Sequence, residues 1–271
     1  DEALRWIAQQ LSQYPLSYPL HYARFAIRGD AADRDTLLQV TGQRGTNASI
    51  LAGWLVSLGL REDARTLLAV LDSQETLPLL WRAALGDDRA ANLQRARQAF
   101  ARRVRFPNTL DEVQMLQQLQ DSPFAIWLLG CFWYSKRRYD DAVACWQQTL
   151  TLEPTFAPAH RLLGIWQWNK QHDADGAAQS LAQAVALEPE NARFLFELDC
   201  LAKLNAESVE SRLARLNDRL NVVFRRDDLT AELLSLWHAH GDYDAATDVL
   251  RDRVFHPWEG GEGKVPGQYQ F

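Results

Sequence analysis

Apolar positions recur at three- and four-residue intervals through most of the chain, and period-two runs of Val and Ile do not occur. A helix buries one stripe and needs that spacing, whereas a half-buried strand needs strict alternation. The pattern predicts short amphipathic helices of roughly 10 to 16 residues joined by tight turns, with Gly and Pro falling between them. The segment SILAGWLVSLGLREDARTLLAVLD at 49–72 predicts a helix hairpin that turns at Gly59 to Asp63 and makes its close contact at Ala64. Residues 77–120 add further helices, one starting at the capping box Thr109-Leu-Asp-Glu112. Residues 192–226 keep the helical period. Residues 229–255 predict another pair, with Trp237, Gly241-Asp-Tyr243, Ala246 and Leu250.

The same order of residues appears twice in the second half. PFAIWLLGCFWYSKRRYDDAVACWQQTLTLEPTF aligns with APAHRLLGIWQWNKQHDADGAAQSLAQAVALEPEN. Both carry Leu-Leu-Gly ending at Gly130 and Gly164, an alanine at Ala142 and Ala177, and Leu-Glu-Pro ending at Pro154 and Pro189. The glycines are 34 residues apart and the prolines 35, so one residue is inserted in the second inter-helix turn. This resembles the tetratricopeptide repeat, a helix-turn-helix unit that needs small residues where its two helices cross. Gln167 stands where that family has an aromatic residue, between Trp166 and Trp168, so a shift in packing is expected there.

The resemblance implies an all-α fold: a right-handed α-α superhelix, or tetratricopeptide-like solenoid, of about six or seven helix pairs with degenerate outer repeats. The expected organisation is divergent helical hairpins over 1–120, repeats over 121–256 (best at 123–156 and 157–191), and a Gly-rich ordered loop and tail over 257–271. The family's groove positions map to Phe124, Trp127, Cys131, Tyr134 and Ser135, then to Pro158, Arg161, Ile165, Trp168 and Asn169. Phe124, Trp127, Tyr134 and Trp168 suit an apolar helix or loop, or the face of a sugar. A clamp for a peptide carboxylate needs several cations, and only Arg161 and Asn169 qualify. Alternatively, another helix of the same chain fills the groove.

Composition narrows the partners. The chain has 271 residues, 47% of them apolar, a net charge of −6 and a pI near 5.6. That balance argues against nucleic acid or an anionic membrane as the general partner. Cys131, Cys145 and Cys200 show no metal spacing and read as buried, reduced thiols of a cytoplasmic protein. The longest near-apolar run, 124–134, is too short to span a bilayer. The first residue is Asp1 and the sole methionine is Met115, so the chain reads as part of a longer protein.

No catalytic motif such as GxSxG, HExxH or GxGxxG occurs, and neither a metal site nor a cofactor is expected. His238 and His240 are two apart and face different sides of a helix. His172 lies in the inserted turn and reads as solvated. Arg95, Arg97, Arg102, Arg103 and Arg105 form a basic stripe with no acid between 90 and 110. It could touch phosphate, although the more ordinary reading is a solvated helix face or an ion-pair surface.

The segment FHPWEGGEGKV at 255–265 carries the remaining chemistry. A phosphate loop would need Gly at 258 and Ser or Thr at 265, where Trp258 and Val265 stand. His256, Trp258, Glu259, Glu262 and Lys264 instead combine an aromatic platform with carboxylates, the usual equipment of a carbohydrate site. Glu259 and Glu262 are the candidate acid and base; the plainer reading is a cap sealing the last helix pair.

FHPWEGGEGKVPGQY, PLSYPLHYARFAI, SILAGWLVSLGLREDARTLLAVL and RFPNTLDEVQMLQQL resemble a family of large bacterial proteins that join a galactose-mutarotase-like β-sandwich to tetratricopeptide repeats. That resemblance implies a non-catalytic scaffold that packs on an N-terminal sugar-binding-type domain of the same protein, and on a protein or peptide partner. Two rivals stand beside it: a loop at 256–264 that completes the active site of a carbohydrate-active enzyme, and a free adaptor for an apolar peptide.

Overall fold

A computed structural model describes residues 2–42, 45–256, 258 and 268. Seventeen α-helices and no strand occur among the described residues. The chain packs as two compact units, Asp1–Leu152 and Glu153–Phe271, so the division falls inside the region read from sequence as 121–256. The first unit holds α1 (Glu2–Gln13), α2 (Tyr18–Arg28), α3 (Ala31–Thr41), α4 (Gly45–Ser57), α5 (Arg61–Leu71), α6 (Thr76–Ala84), α7 (Arg89–Arg102), α8 (Leu110–Gln117), α9 (Pro123–Ser135) and α10 (Tyr139–Leu152). The second holds α11 (Ala157–Trp166), α12 (Ala174–Leu187), α13 (Ala192–Leu204), α14 (Val209–Asn217), α15 (Leu220–Val223), α16 (Asp227–His240) and α17 (Tyr243–Asp252).

Local chemistry sets many of these boundaries. Asp30, Ser122, Asp173, Asn191 and Ser208 each accept a backbone N–H from the first turn of the helix they precede. Thr109 and Glu112 form the expected capping box, with Glu112 Oε2 accepting from Thr109 N at 3.2 Å. Both Leu-Glu-Pro segments make the same turn: Phe156 N donates to Glu153 O, and Asn191 N to Glu188 O, each at 3.0 Å. Proline suits the second position of such a turn because its φ is already set.

Consecutive helices pair as α2/α3, α4/α5, α6/α7 and α9/α10 in the first unit, and as α11/α12 and α16/α17 in the second. The two repeat glycines mark where backbones cross. A Cβ on Gly130 would lie 2.5 Å from Trp146 Nε1 and 3.0 Å from Cys145 Cβ on α10. A Cβ on Gly164 would lie 3.0 Å from Ala177 O on α12. Ala142 and Ala177 are fully buried opposite them.

The inserted residue of the second repeat is absorbed in a π-turn over Gln167–Gln171 that extends α11. The Gln167 amide, oriented to donate, reaches Gly176 O at 3.0 Å and Ser180 Oγ at 2.7 Å on α12. A polar bridge thus replaces the aromatic contact of the family pattern.

Each unit has its own interior. In the first, Leu51, Leu67, Leu77, Trp81, Leu116 and Trp146 are almost fully buried, and so is Glu112. Glu112 is satisfied there: Ser49 Oγ donates to its Oε1 at 2.8 Å, and Trp81 Nε1 donates to Ser49 Oγ at 3.1 Å. In the second, Leu195, Leu213, Leu216, Leu229, Leu233 and Trp237 form one cluster.

Residues 2–41 hold three helices, α1 to α3, and the consecutive pairs named above agree with the expected six or seven. The outcome differs from the sequence reading at the cysteines. The three thiols, expected to be buried, are only half-buried, and none is in a disulfide among the described residues. Burial, with the Asp141 carboxylate second, pushes the Cys145 thiol up to about 11.

Candidate functional site

In the first unit the expected groove residues sit on α9, whose apolar surface goes all the way round. Phe124 and Trp127 are one turn apart, and their rings stack at 6.0 Å between centroids. Phe100 of α7 meets both edge-on, at 5.5 Å and 5.4 Å. Phe106, in the segment after α7, lies 5.3 Å from Phe100 and 6.1 Å from Trp127. This four-ring cluster leaves Phe124 and Trp127 only 5% and 6% exposed. The chain's own α7 therefore covers these rings, as one of the two sequence readings allows. Tyr134 is half-buried and packs on Tyr139 and Trp146 of α10, at 5.2 Å and 5.5 Å.

In the second unit Arg161 and Trp168 are also engaged. Arg161 of α11 donates from Nε and Nη2 to the two carboxylate oxygens of Glu197 on α13, each at 2.5 Å. Glu197 also accepts from Arg193 Nε at 3.0 Å. The guanidinium is thus neutralised by a forked pair and offers no clamp for an incoming carboxylate. Trp168 packs half-buried on Ala177, Leu181 and Leu201.

The entrance to the Gly-rich segment is anchored. Asp227, at the first turn of α16, accepts from His256 N at 2.9 Å, with His256 Nδ1 at 3.3 Å, and from Arg253 Nη2 at 2.6 Å. Burial alone would raise the Asp227 carboxyl; the His256 N–H and the Arg253 guanidinium outweigh it and hold it below the usual carboxylate range. Trp258 is half-buried. Glu259, Glu262 and Lys264 lie outside the described residues.

Two features escape the sequence reading. The first is a buried ionic network in the second unit. Arg212 of α14 donates from Nη2 to Asp199 Oδ2 at 2.6 Å and to Glu232 Oε2 at 3.4 Å, and Lys203 Nζ donates to Glu232 at 2.8 Å. Asp199 is fully buried, and its partners satisfy it.

The second is an open apolar groove of about 900 Å³ between α1, α2 and α4, walled by Trp6, Ile7, Pro19, Leu20, Ala23 and Trp54. Trp6 and Trp54 are 56% and 46% exposed. The one hint in the sequence is the pair of tryptophans, Trp6 on the amphipathic α1 and Trp54 on the largely apolar α4.

Among the described residues, no cluster of His, Cys, Asp or Glu is arranged to hold a metal ion, and no helix is long and apolar enough to cross a membrane.

No family model matches the chain. Several solved structures do. Yeast Tom70 is 12% identical over 93% of this chain and 57% of its own, with a TM-score of 0.50. Cut9, from the APC/C Cut9–Hcn1 hetero-tetramer, is 16% identical over 87% of this chain and 46% of its own, with a TM-score of 0.41. TTC0263, a thermophilic TPR protein of Thermus thermophilus, is 23% identical over 71% of this chain and 98% of its own, with a TM-score of 0.34. This chain therefore spans little more than half the length of the Tom70 chain. The likeness to Tom70 bears on the fold, which is the expected all-α array of tetratricopeptide-like helix pairs.

Proposed function

We propose that the chain is a non-catalytic interaction scaffold whose docking face is the apolar groove between α1, α2 and α4. One observation carries this: two tryptophans, Trp6 and Trp54, stand about half exposed on either side of the groove. A contiguous apolar surface rimmed by polar residues, here Glu2 and Ser17, is the usual mark of a protein contact. The aromatic residues at the family's own groove positions, Phe124 and Trp127, are spent on internal packing.

The finer reading is that the scaffold serves a carbohydrate-related protein, and that the groove receives the β-sandwich domain implied by the resemblance at 15–27, 49–71, 105–119 and 255–269. This occupant is apolar protein surface, which the groove chemistry suits. Arg161, Trp168, His256 and Trp258 then act as structural supports of the second unit.

A photo-crosslinking residue placed at Trp54 in the full-length protein tests this. Crosslinks to the sandwich domain of the same polypeptide are expected, and Trp6→Ala should reduce their yield. Crosslinks confined to a separate protein would replace the interdomain reading with that of a free adaptor. No crosslink at all would remove the groove as a docking face.

A further inference from the structure

Four of the five arginines of the basic stripe line one pocket. Arg95, Arg102, Arg103 and Arg105 gather with Gln74 and Thr76 around a pocket of about 320 Å³ between the start of α6 and the end of α7. Four guanidinium groups face one carboxylate, Glu75, in a chain whose net charge is −6. Glu75 is itself engaged: Arg103 Nη1 donates to its Oε1 at 3.4 Å. Arg95 is held in place by Gln74 and by Asn92 Oδ1, the latter at 3.2 Å.

The pocket has donors without acceptors. The Thr76 hydroxyl is buried and makes no hydrogen bond, and Thr76 is only 2% exposed. Arg105 Nε is likewise buried without an acceptor. Arg102 has no ion pair among the described residues. Helix α6 begins at Thr76, in the pocket wall, with no side-chain cap, so the positive end of its dipole lies at the pocket although Pro78 lacks an N–H. Buried donors are normally satisfied, and a cluster of them around a cavity marks a missing acceptor.

We propose that this pocket binds a small-molecule phosphate monoester. A phosphoryl group brings three acceptor oxygens and nearly two negative charges, which match forked guanidinium donors and a helix N-terminus. The pocket is at the small end of the range of about 300–1,000 Å³ for ligand sites, so the body of the ligand is metabolite-sized. Gln74 and Gln98 line it and can exchange hydrogen bonds with hydroxyl groups on that body. This site lies outside the apolar groove of α1, α2 and α4 and does not depend on the scaffold reading.

Isothermal titration of the protein at low salt tests the proposal, with glucose 6-phosphate, inorganic phosphate and glucose as probes. Saturable 1:1 binding of glucose 6-phosphate is expected, displaced by inorganic phosphate, with no signal from glucose. Arg102→Ala and Arg105→Ala should each weaken binding by about tenfold or more, the worth of a charge-assisted pair. Thr76→Val should weaken it severalfold and Thr76→Ser should restore it. Arg102 is exposed, so Arg102→Ala keeps the fold and gives a readout even if Arg105→Ala does not. The absence of saturable binding to both phosphate probes would overturn the proposal. So would wild-type affinity in the Arg102→Ala/Arg105→Ala double variant. Binding of a phosphoserine peptide with both small probes silent would overturn it in favour of a protein ligand.

Discussion

The substitution Gly130→Ala isolates the helix crossing on which the repeat depends. In an exposed helix, Gly→Ala stabilises by about 1 kcal/mol because alanine loses less backbone freedom. At position 130 the added Cβ would sit 2.5 Å from Trp146 Nε1, 2.7 Å from its Cδ1 and 3.0 Å from Cys145 Cβ. Trp146 is fully buried, so its indole has nowhere to swing, and Cys145 Cβ moves only with the backbone of α10. The two helices must separate. Overpacking of this kind costs about 1–3 kcal/mol, and with neither obstacle free to move the cost falls at about 2–3 kcal/mol, which exceeds the propensity gain and leaves a net loss of about 1–2 kcal/mol. In urea unfolding the midpoint should fall with the slope unchanged, and Tm should drop by roughly 2–8 °C. A double-mutant cycle with Trp146→Leu, which removes the obstructing ring, should show a coupling of about 1 kcal/mol, so that Gly130→Ala costs little in that background. A Gly130→Ala protein as stable as the parent would refute the close-crossing argument. Equal cost in both backgrounds would refute the assignment to Trp146.

Two further outcomes follow from the second unit. Asp199→Leu removes the forked partner of the buried Arg212 guanidinium, leaving it only Glu232 at 3.4 Å, and should cost about 3 kcal/mol, whereas Asp199→Leu combined with Arg212→Met should recover most of that loss in a denaturation series. For Asp227 the folded carboxyl lies below its ordinary value, held there by His256 N and Arg253, so its contribution is present above the unfolded pKa of about 4 and is lost as pH falls through the folded one. Asp227→Asn should therefore cost about 1–2 kcal/mol at pH 6, and the gap between parent and variant should close below about pH 4 in urea titrations run across that range.

What can be read in the sequence, and what cannot, follows from the kind of contact each helix makes. The pairs α9/α10 and α11/α12 announce themselves because their crossings demand glycine and alanine at fixed spacing, and steric demands leave a residue signature. Helices α2 and α3 carry no such glycine–alanine signature, and an ion pair joins them. Arg24 Nε lies 2.6 Å from Asp33 Oδ1 and Arg28 adds to the same carboxylate, with Asp33 only 3% exposed. An inward-facing aspartate reads as a polar position and breaks the apolar period. Asp199 and Arg212 also face inward in 192–226, where the helical period persists but the repeat signature is missing. On α9 the helical period puts Phe124 and Trp127 one turn apart, and that much is legible. Phe100 and Phe106 cover them, and nothing in the period of α9 tells which distant helix comes to lie there. Arg161 and Glu197, 36 residues apart, pose the same problem.

These contacts represent two answers to one demand. A helical repeat must hold each neighbour at one register, or its helices slide. Where glycine lets two backbones approach, as at Gly130 and Gly164, steric interlocking sets the register at short range. Where no small residue permits that approach, a forked ion pair sets it across a wider gap: Arg161 on Glu197 between α11 and α13, and Arg212 between Asp199 of α13 and Glu232 of α16. Such pairs add little net stability, because desolvation offsets much of the attraction, but mispairing leaves a buried charge alone at a cost of several kcal/mol. The loss of the repeat signature in 192–226 therefore goes with buried ion pairs between helices, in a stretch where α14 packs chiefly on α16 rather than on its neighbour α13.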